Sequence, residues 1–81
     1  MNIKVLGTGC AKCNELEKNV KDALVQMGRT DTLEKVSDVT EIIRYGVMRT
    51  PALVLGSRIV SVGRTLSVEE VKELINKEET K

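Results

Sequence analysis

The spacing of apolar residues along the chain switches between two and three-to-four, and each switch marks the boundary of an element. Residues 2–6, Asn-Ile-Lys-Val-Leu, form a short alternating, β-branched run that stops at Gly7-Thr8-Gly9, the pattern of a strand. From about Ala11 to Met27 the apolar residues Cys13, Leu16, Val20, Leu24 and Met27 recur at steps of three and four. That spacing places them on one face of a helix, and Gly28 suits the C′ position where the chain leaves it. Thr30 to Ser37 reads as a second strand, whose Asp31, Glu34 and Lys35 suit a sheet edge because charge there discourages pairing with another molecule. Asp38 caps a short second helix, Glu41 three residues on completes a capping pattern, and Gly46 ends it.

Two further apolar runs, Ala52 to Leu55 and Arg58 to Val62, are joined by Gly56-Ser57. A Gly-first two-residue loop favours a type II′ hairpin. Ser67 and Glu70 form a capping box, and Val68, Val71, Leu74 and Ile75 give the apolar face of a last helix. Glu78 to Lys81 reads as a frayed, charged tail. The order is therefore β-α-β-α-β-β-α. Its strand-helix-strand unit implies a right-handed parallel crossover, and the hairpin adds an antiparallel pair. The expectation is one α/β domain spanning residues 1–81, with no repeat, linker or low-complexity stretch.

Composition narrows the partners. Thirteen basic and twelve acidic residues leave a net charge of +1, which gives no case for nucleic acid or a membrane surface. Tyr45 is the only aromatic residue, so a stacking platform for bases is absent. No apolar run approaches the roughly 18–20 residues of a membrane span, and the N-terminus reads as a strand rather than a signal peptide. A cytoplasmic protein is expected, with a monomer as the simplest state.

The cysteines change the picture more. A compartment that keeps thiols reduced disfavours a structural disulfide, and a loop closed by residues so near in sequence would add little stability. Cys10-Ala11-Lys12-Cys13 therefore reads as a redox or metal motif. Cys10 falls where the loop becomes a helix, and the unpaired N–H groups and partial positive charge of a helix N-terminus stabilise a thiolate. Lys12 adds a cation, and Gly9 leaves the approach to Cys10 open. Cys13 lies one turn on, at a Cα separation of about 5–6 Å, within the range of a disulfide. These positions suit thiol–disulfide exchange, in which Cys10 attacks a substrate disulfide and Cys13, on the core side, resolves the mixed disulfide. The same pair also suits soft-metal binding or transfer of Cu(I) or Zn(II), or a redox sensor that changes state once without turnover. Two cysteines and no histidine cannot close a four-ligand zinc site within one chain.

Beyond the cysteine motif stand Thr50-Pro51-Ala52-Leu53-Val54-Leu55, with the only proline, and Val62-Gly63-Arg64-Thr65-Leu66-Ser67. Together with Cys10-Ala11-Lys12-Cys13 after the first strand, these segments resemble the thioredoxin family's CxxC motif, Thr-Pro strand and Val-Gly turn into the last helix. The resemblance covers nearly the whole chain, and extends to short archaeal and bacterial thioredoxin/glutaredoxin-like proteins that carry Gly-Thr-Gly-Cys-x-x-Cys. It implies a four-stranded mixed sheet of order 2-1-3-4, with the first and last helices on one face and the middle helix on the other. It also implies Cys10 as nucleophile, Cys13 as resolving thiol, a cis Thr50–Pro51 bond with Thr50 backbone groups pairing with an extended substrate, and Gly63 lining the same groove.

The implied activity is that of a protein-disulfide oxidoreductase without cofactor or resident metal. Its partners would be protein disulfides, with a thioredoxin-reductase-type enzyme or glutathione as electron donor. Departures from thioredoxins proper are Gly9 in place of Trp, Ala11-Lys12 in place of Gly-Pro, and no acidic residue shortly before Cys13. The soft-metal domains that share CxxC end in a strand, whereas this chain ends in a capped helix and has a Thr-Pro segment with no role there. Arg49 and Arg64 flank the proposed groove in sequence, Met48 suits an apolar rim, and Tyr45 suits packing at the end of the second helix.

Overall fold

A computed structural model describes residues 2–9 and 11–79. The elements are β1 (Asn2–Leu6), α1 (Ala11–Gln26), β2 (Thr32–Val36), α2 (Val39–Arg44), β3 (Ala52–Leu55), β4 (Arg58–Val62) and α3 (Val68–Glu79). They occur in the order β-α-β-α-β-β-α that the hydrophobic pattern predicts. The strands form one four-stranded sheet of order β2-β1-β3-β4. β1 runs parallel to β2 and antiparallel to β3, and β3 and β4 make the antiparallel hairpin. This is the α/β fold with a mixed sheet that the sequence resemblance implies.

Alternation along β1 and β3 divides the core between the two sheet faces. Ile3, Val5, Leu53 and Leu55 meet Leu16, Val20, Ala23 and Leu24 of α1 and Val71 and Ile75 of α3. On the other face Leu6, Ala52 and Val54 pack with Ile42 of α2 and Val47. Burial of each Val, Leu or Ile side chain among them stabilises the fold by roughly 1.5–3 kcal/mol. Four consecutive buried residues in β3 therefore anchor both layers, because its alternate side chains enter opposite cores.

Local sequence explains where the helices begin and end. The Arg29 N–H donates to Leu24 O at 2.9 Å and the Gly28 N–H to Val25 O at 3.1 Å, a Schellman closure of α1. Ser67 and Glu70 cap α3 reciprocally, with Ser67 N–H on Glu70 Oε1 at 3.0 Å and Glu70 N–H on Ser67 Oγ at 3.2 Å. The Ser67 N–H is the main reason the Glu70 carboxyl is held below its ordinary pKa.

Four details differ from the sequence expectation. Asp38 does cap α2, accepting from Thr40 N–H at 2.8 Å, but the Glu41 carboxylate lies 3.1 Å from Arg44 Nη1 instead of closing a box. β2 is shorter than expected, beginning at Thr32 and ending at Val36. Val54 faces Ile59 while Leu53 faces Ser61, so Val60 is an extra residue in β4. This bulge bends the strand and lets both Ile59 and Val60 pack against core residues. Finally, Glu78 and Glu79 are helical rather than frayed. Glu78 pairs with Arg58 at 3.3 Å and Glu79 pairs with Arg29, which ties the last turn to the sheet. The turn at Gly56-Ser57 has positive φ at Gly56 (+67°) and not at Ser57, as a type II′ hairpin requires.

Arg29 also grips Asp31 with two bonds, Nε to Oδ1 at 2.6 Å and Nη2 to Oδ2 at 2.9 Å. The guanidinium holds the Asp31 carboxyl down at about 2. A carboxyl whose folded-state pKa is depressed stabilises the fold above its unfolded value of about 3.9, and that contribution is lost as pH falls toward the folded value. Asp31→Asn is therefore expected to lower Tm near neutral pH. Thermal melts should show the gap from wild type closing as pH falls from about 4 to about 2.

Candidate functional site

The strand register aligns four backbone segments at one end of the sheet. Leu6 faces Ala52 across the β1–β3 pair, and Ala52 faces Val62 across the β3–β4 pair. One residue further out are Gly7, Pro51 and Gly63. The Gly7 N–H donates to Val36 O at 2.9 Å, and the Gly63 N–H donates to Pro51 O at 2.8 Å. The Thr50–Pro51 bond is cis, in agreement with the expectation. Pro51 is buried and Thr50 half-buried.

Cys13 comes to this end from the first turn of α1 and is completely buried, at 0% exposure. Its thiol occupies the space that a side chain on residue 7 would fill. A Cβ placed on Gly7 would lie 2.2 Å from Cys13 Sγ, 2.9 Å from Cys13 Cβ and 4.0 Å from Thr50 Cβ. The buried thiol, the backbone unit just after β1 and the residue before the cis proline thus share one small volume. The first turn of α1 carries no acidic side chain, so no side chain there offsets the partial positive charge of the helix N-terminus. Cys10, the expected nucleophile, precedes α1 in sequence and lies outside the described residues. Cys13, Thr50, Pro51 and Gly63 are gathered at the same sheet end.

Around them the surface is mixed. Met48 is 94% exposed, and the Arg49 methylenes lie over Gly63, with Cδ and Cβ 3.0 and 3.1 Å from where a Gly63 Cβ would stand. Arg64 is drawn toward the start of α3 by Glu70, at 3.0 Å. Tyr45 packs against the smaller core and accepts a hydrogen bond from Lys4 Nζ at 2.9 Å. A pocket of about 630 Å³ opens between β4 and α3, but Cys13, Thr50, Pro51 and Gly63 are not among its lining residues.

Three contributors escaped sequence reasoning. Asn19 Nδ2 donates to Leu66 O at 2.8 Å and Thr65 Oγ1 to Lys12 O at 3.5 Å, which hold the segment before α3 against α1. Gly7 looks like part of a turn, although its φ is not positive. A glycine directly after a buried strand is a signal for close approach of another group, and here that group is the Cys13 thiol.

Gly63 has both a positive φ of +73° and Arg49 against it. Gly63→Ala is expected to cost roughly 1–2 kcal/mol from backbone conformation, plus a steric part that Arg49→Ala relieves. Urea unfolding of the two single variants and the double variant checks this, with the double less destabilised than the sum.

The comparisons with known proteins agree with this geometry. A family model described as thioredoxin domain matches residues 1–76. A thioredoxin of Methanothermobacter thermautotrophicus is 34% identical over 76 residues, covering 94% of this chain and 99% of that protein. A thioredoxin of Methanocaldococcus jannaschii is 44% identical over 71 residues, covering 88% of this chain and 81% of that protein. With its mixed sheet, cis Thr50–Pro51 bond and these matches, the chain belongs to the thioredoxin family.

Proposed function

We propose that the chain reduces and exchanges protein disulfides through a redox pair formed by Cys10 and Cys13, within one domain spanning residues 1–81. Membership of the thioredoxin family makes it a thiol–disulfide oxidoreductase in general. The observation that carries the finer reading is the buried Cys13 thiol at the start of α1, lodged against Gly7 and beside Thr50.

In the forward direction the Cys10 thiolate attacks one sulfur of a substrate disulfide. A Cys10–substrate bond forms, the substrate S–S bond breaks, and the leaving thiolate takes a proton from solvent. Cys13 then loses its proton and attacks Cys10 Sγ, which forms the Cys10–Cys13 disulfide and expels the second substrate thiolate. Two electrons have passed to the substrate. Thr50 backbone groups pair with an extended substrate segment, cis Pro51 stands beside the disulfide and Gly63 lines the groove. Relatives named thioredoxin support protein disulfides as substrates and a reductase as electron donor, with glutathione as the other candidate donor. The protein acts as a monomer in the reducing cytoplasm.

The test is reduction of a protein disulfide by the purified chain, with a dithiol as terminal reductant. Cys10→Ser is expected to abolish catalysis, and Cys13→Ser to accumulate a one-to-one mixed disulfide visible on a non-reducing gel. Equal turnover by wild type and Cys10→Ser would overturn the mechanism.

A further inference from the structure

We propose that Gly7 is a positioning residue for the second chemical step. The absence of a side chain at residue 7 gives Cys13 Sγ the place from which it attacks the mixed disulfide. The proposal rests on the redox-pair reading above and adds a residue to it.

The geometry separates two reasons for a glycine. Gly7 has no positive φ, so a left-handed backbone is not what calls for glycine there. Its constraint is spatial. A Cβ at residue 7 would stand 2.2 Å from Cys13 Sγ and 2.9 Å from Cys13 Cβ, far inside the contact distance of about 3.5–4.0 Å between carbon atoms. Neither side can yield easily. The Gly7 backbone is fixed by its N–H bond to Val36 O at 2.9 Å. Cys13 is completely buried in α1, whose next turns are anchored by Leu16 and Val20 in the core. Thr50 Cβ, 4.0 Å from the same point, closes the third side.

The sulfur's softest response to a methyl group is therefore rotation about the Cys13 Cα–Cβ bond, out of the notch. The 2.9 Å contact with Cys13 Cβ calls for a further shift of a few tenths of an ångström between β1 and α1. Disulfide exchange requires the attacking sulfur near the line of the S–S bond it breaks, so that rotation acts on the attack itself. The affected step is a balanced one. Cys13 gives up its proton and bonds to Cys10 Sγ. The Cys10–substrate bond breaks, and the substrate leaves as a thiolate that takes up a proton. The first step, attack by Cys10 on the substrate, does not involve Cys13 Sγ. A residue that positions Cys13 alone must slow the second step and leave the first unchanged.

The experiment uses the reduced full chain with one equivalent of dithiobis(nitrobenzoate), an aryl disulfide that releases one coloured thiolate on each step. Wild type should release both thiolates and end as an internal disulfide, and Cys13→Ser should stop after the first. Gly7→Ala is expected to release the first thiolate at the wild-type rate and the second more slowly by about tenfold or more. A variant that is merely destabilised would change both phases or neither. Both phases at wild-type rates in Gly7→Ala would overturn the proposal. A wild type that forms no internal disulfide would instead overturn the redox pair, which keeps the two failures apart.

Thermal melts of Gly7→Ala in wild-type and Cys13→Ala backgrounds decide the matter should Gly7→Ala fold too poorly for kinetics. The melting temperature lost to Gly7→Ala should be smaller once the sulfur is gone. An equal loss in both backgrounds would overturn the assignment.

Discussion

The register of β1 against β3 sets the candidate functional end of this molecule, because Gly7 and Pro51 stand one step beyond its last pair. Leu6 faces Ala52, and Ala52 in turn faces Val62, so Gly7, Pro51 and Gly63 fall into line across three strands. A slip of one residue would exchange the two faces of β3. Leu53 and Leu55 would leave the α1–α3 core, and Ala52 and Val54 would leave the α2 core. Burial on both faces thus fixes the register far more firmly than any contact at the sheet end could. The chemistry of the sheet end is placed by hydrophobic packing in the middle of the sheet.

The helices add the second coordinate. Leu16, Val20, Ala23 and Leu24 set the rotation of α1 on the sheet, and Cys13, one turn before Leu16, must then point inward at the level of Gly7. Side-chain bonds from Asn19 to Leu66 and from Thr65 to Lys12 hold the neighbouring segment against the same helix. At the far end of the molecule Arg29 joins the turn after α1 to Asp31 and to Glu79 of α3. The two helices on this face are thereby tied at both ends, which limits how far the first turn of α1 can shift.

Most of the element order was legible because each helix and strand declares itself within its own segment. The capping pair Ser67 and Glu70, the glycine after α1 and the alternation in β1 are local signals, and the structure uses each of them. The misses were non-local. Nothing within Glu78 and Glu79 announces a helix, since their partners Arg58 and Arg29 come from a hairpin and from the turn after α1. The bulge at Val60 follows from the fit of β4 against β3, which a strand read alone cannot reveal. Cys13, Thr50, Pro51 and Gly63 were legible as a group through family motifs. Gly7 was not, because spatial need and conformational need leave the same letter in the sequence.

That distinction bears on how two thiols so near in sequence can differ in role. Cys13 presents no surface to solvent, so a protein-sized disulfide cannot meet it without opening the core. A sulfur that reacts with it must be brought by the chain itself, and Cys10 is the only other cysteine in the sequence. Burial therefore keeps Cys13 from bulk partners, which fits the internal step proposed for it. Such protection is useful only if the thiol can sit where the internal step needs it. Close packing normally leaves no vacant site for a sulfur atom, and the missing side chain at Gly7 supplies one, with Thr50 near the same point.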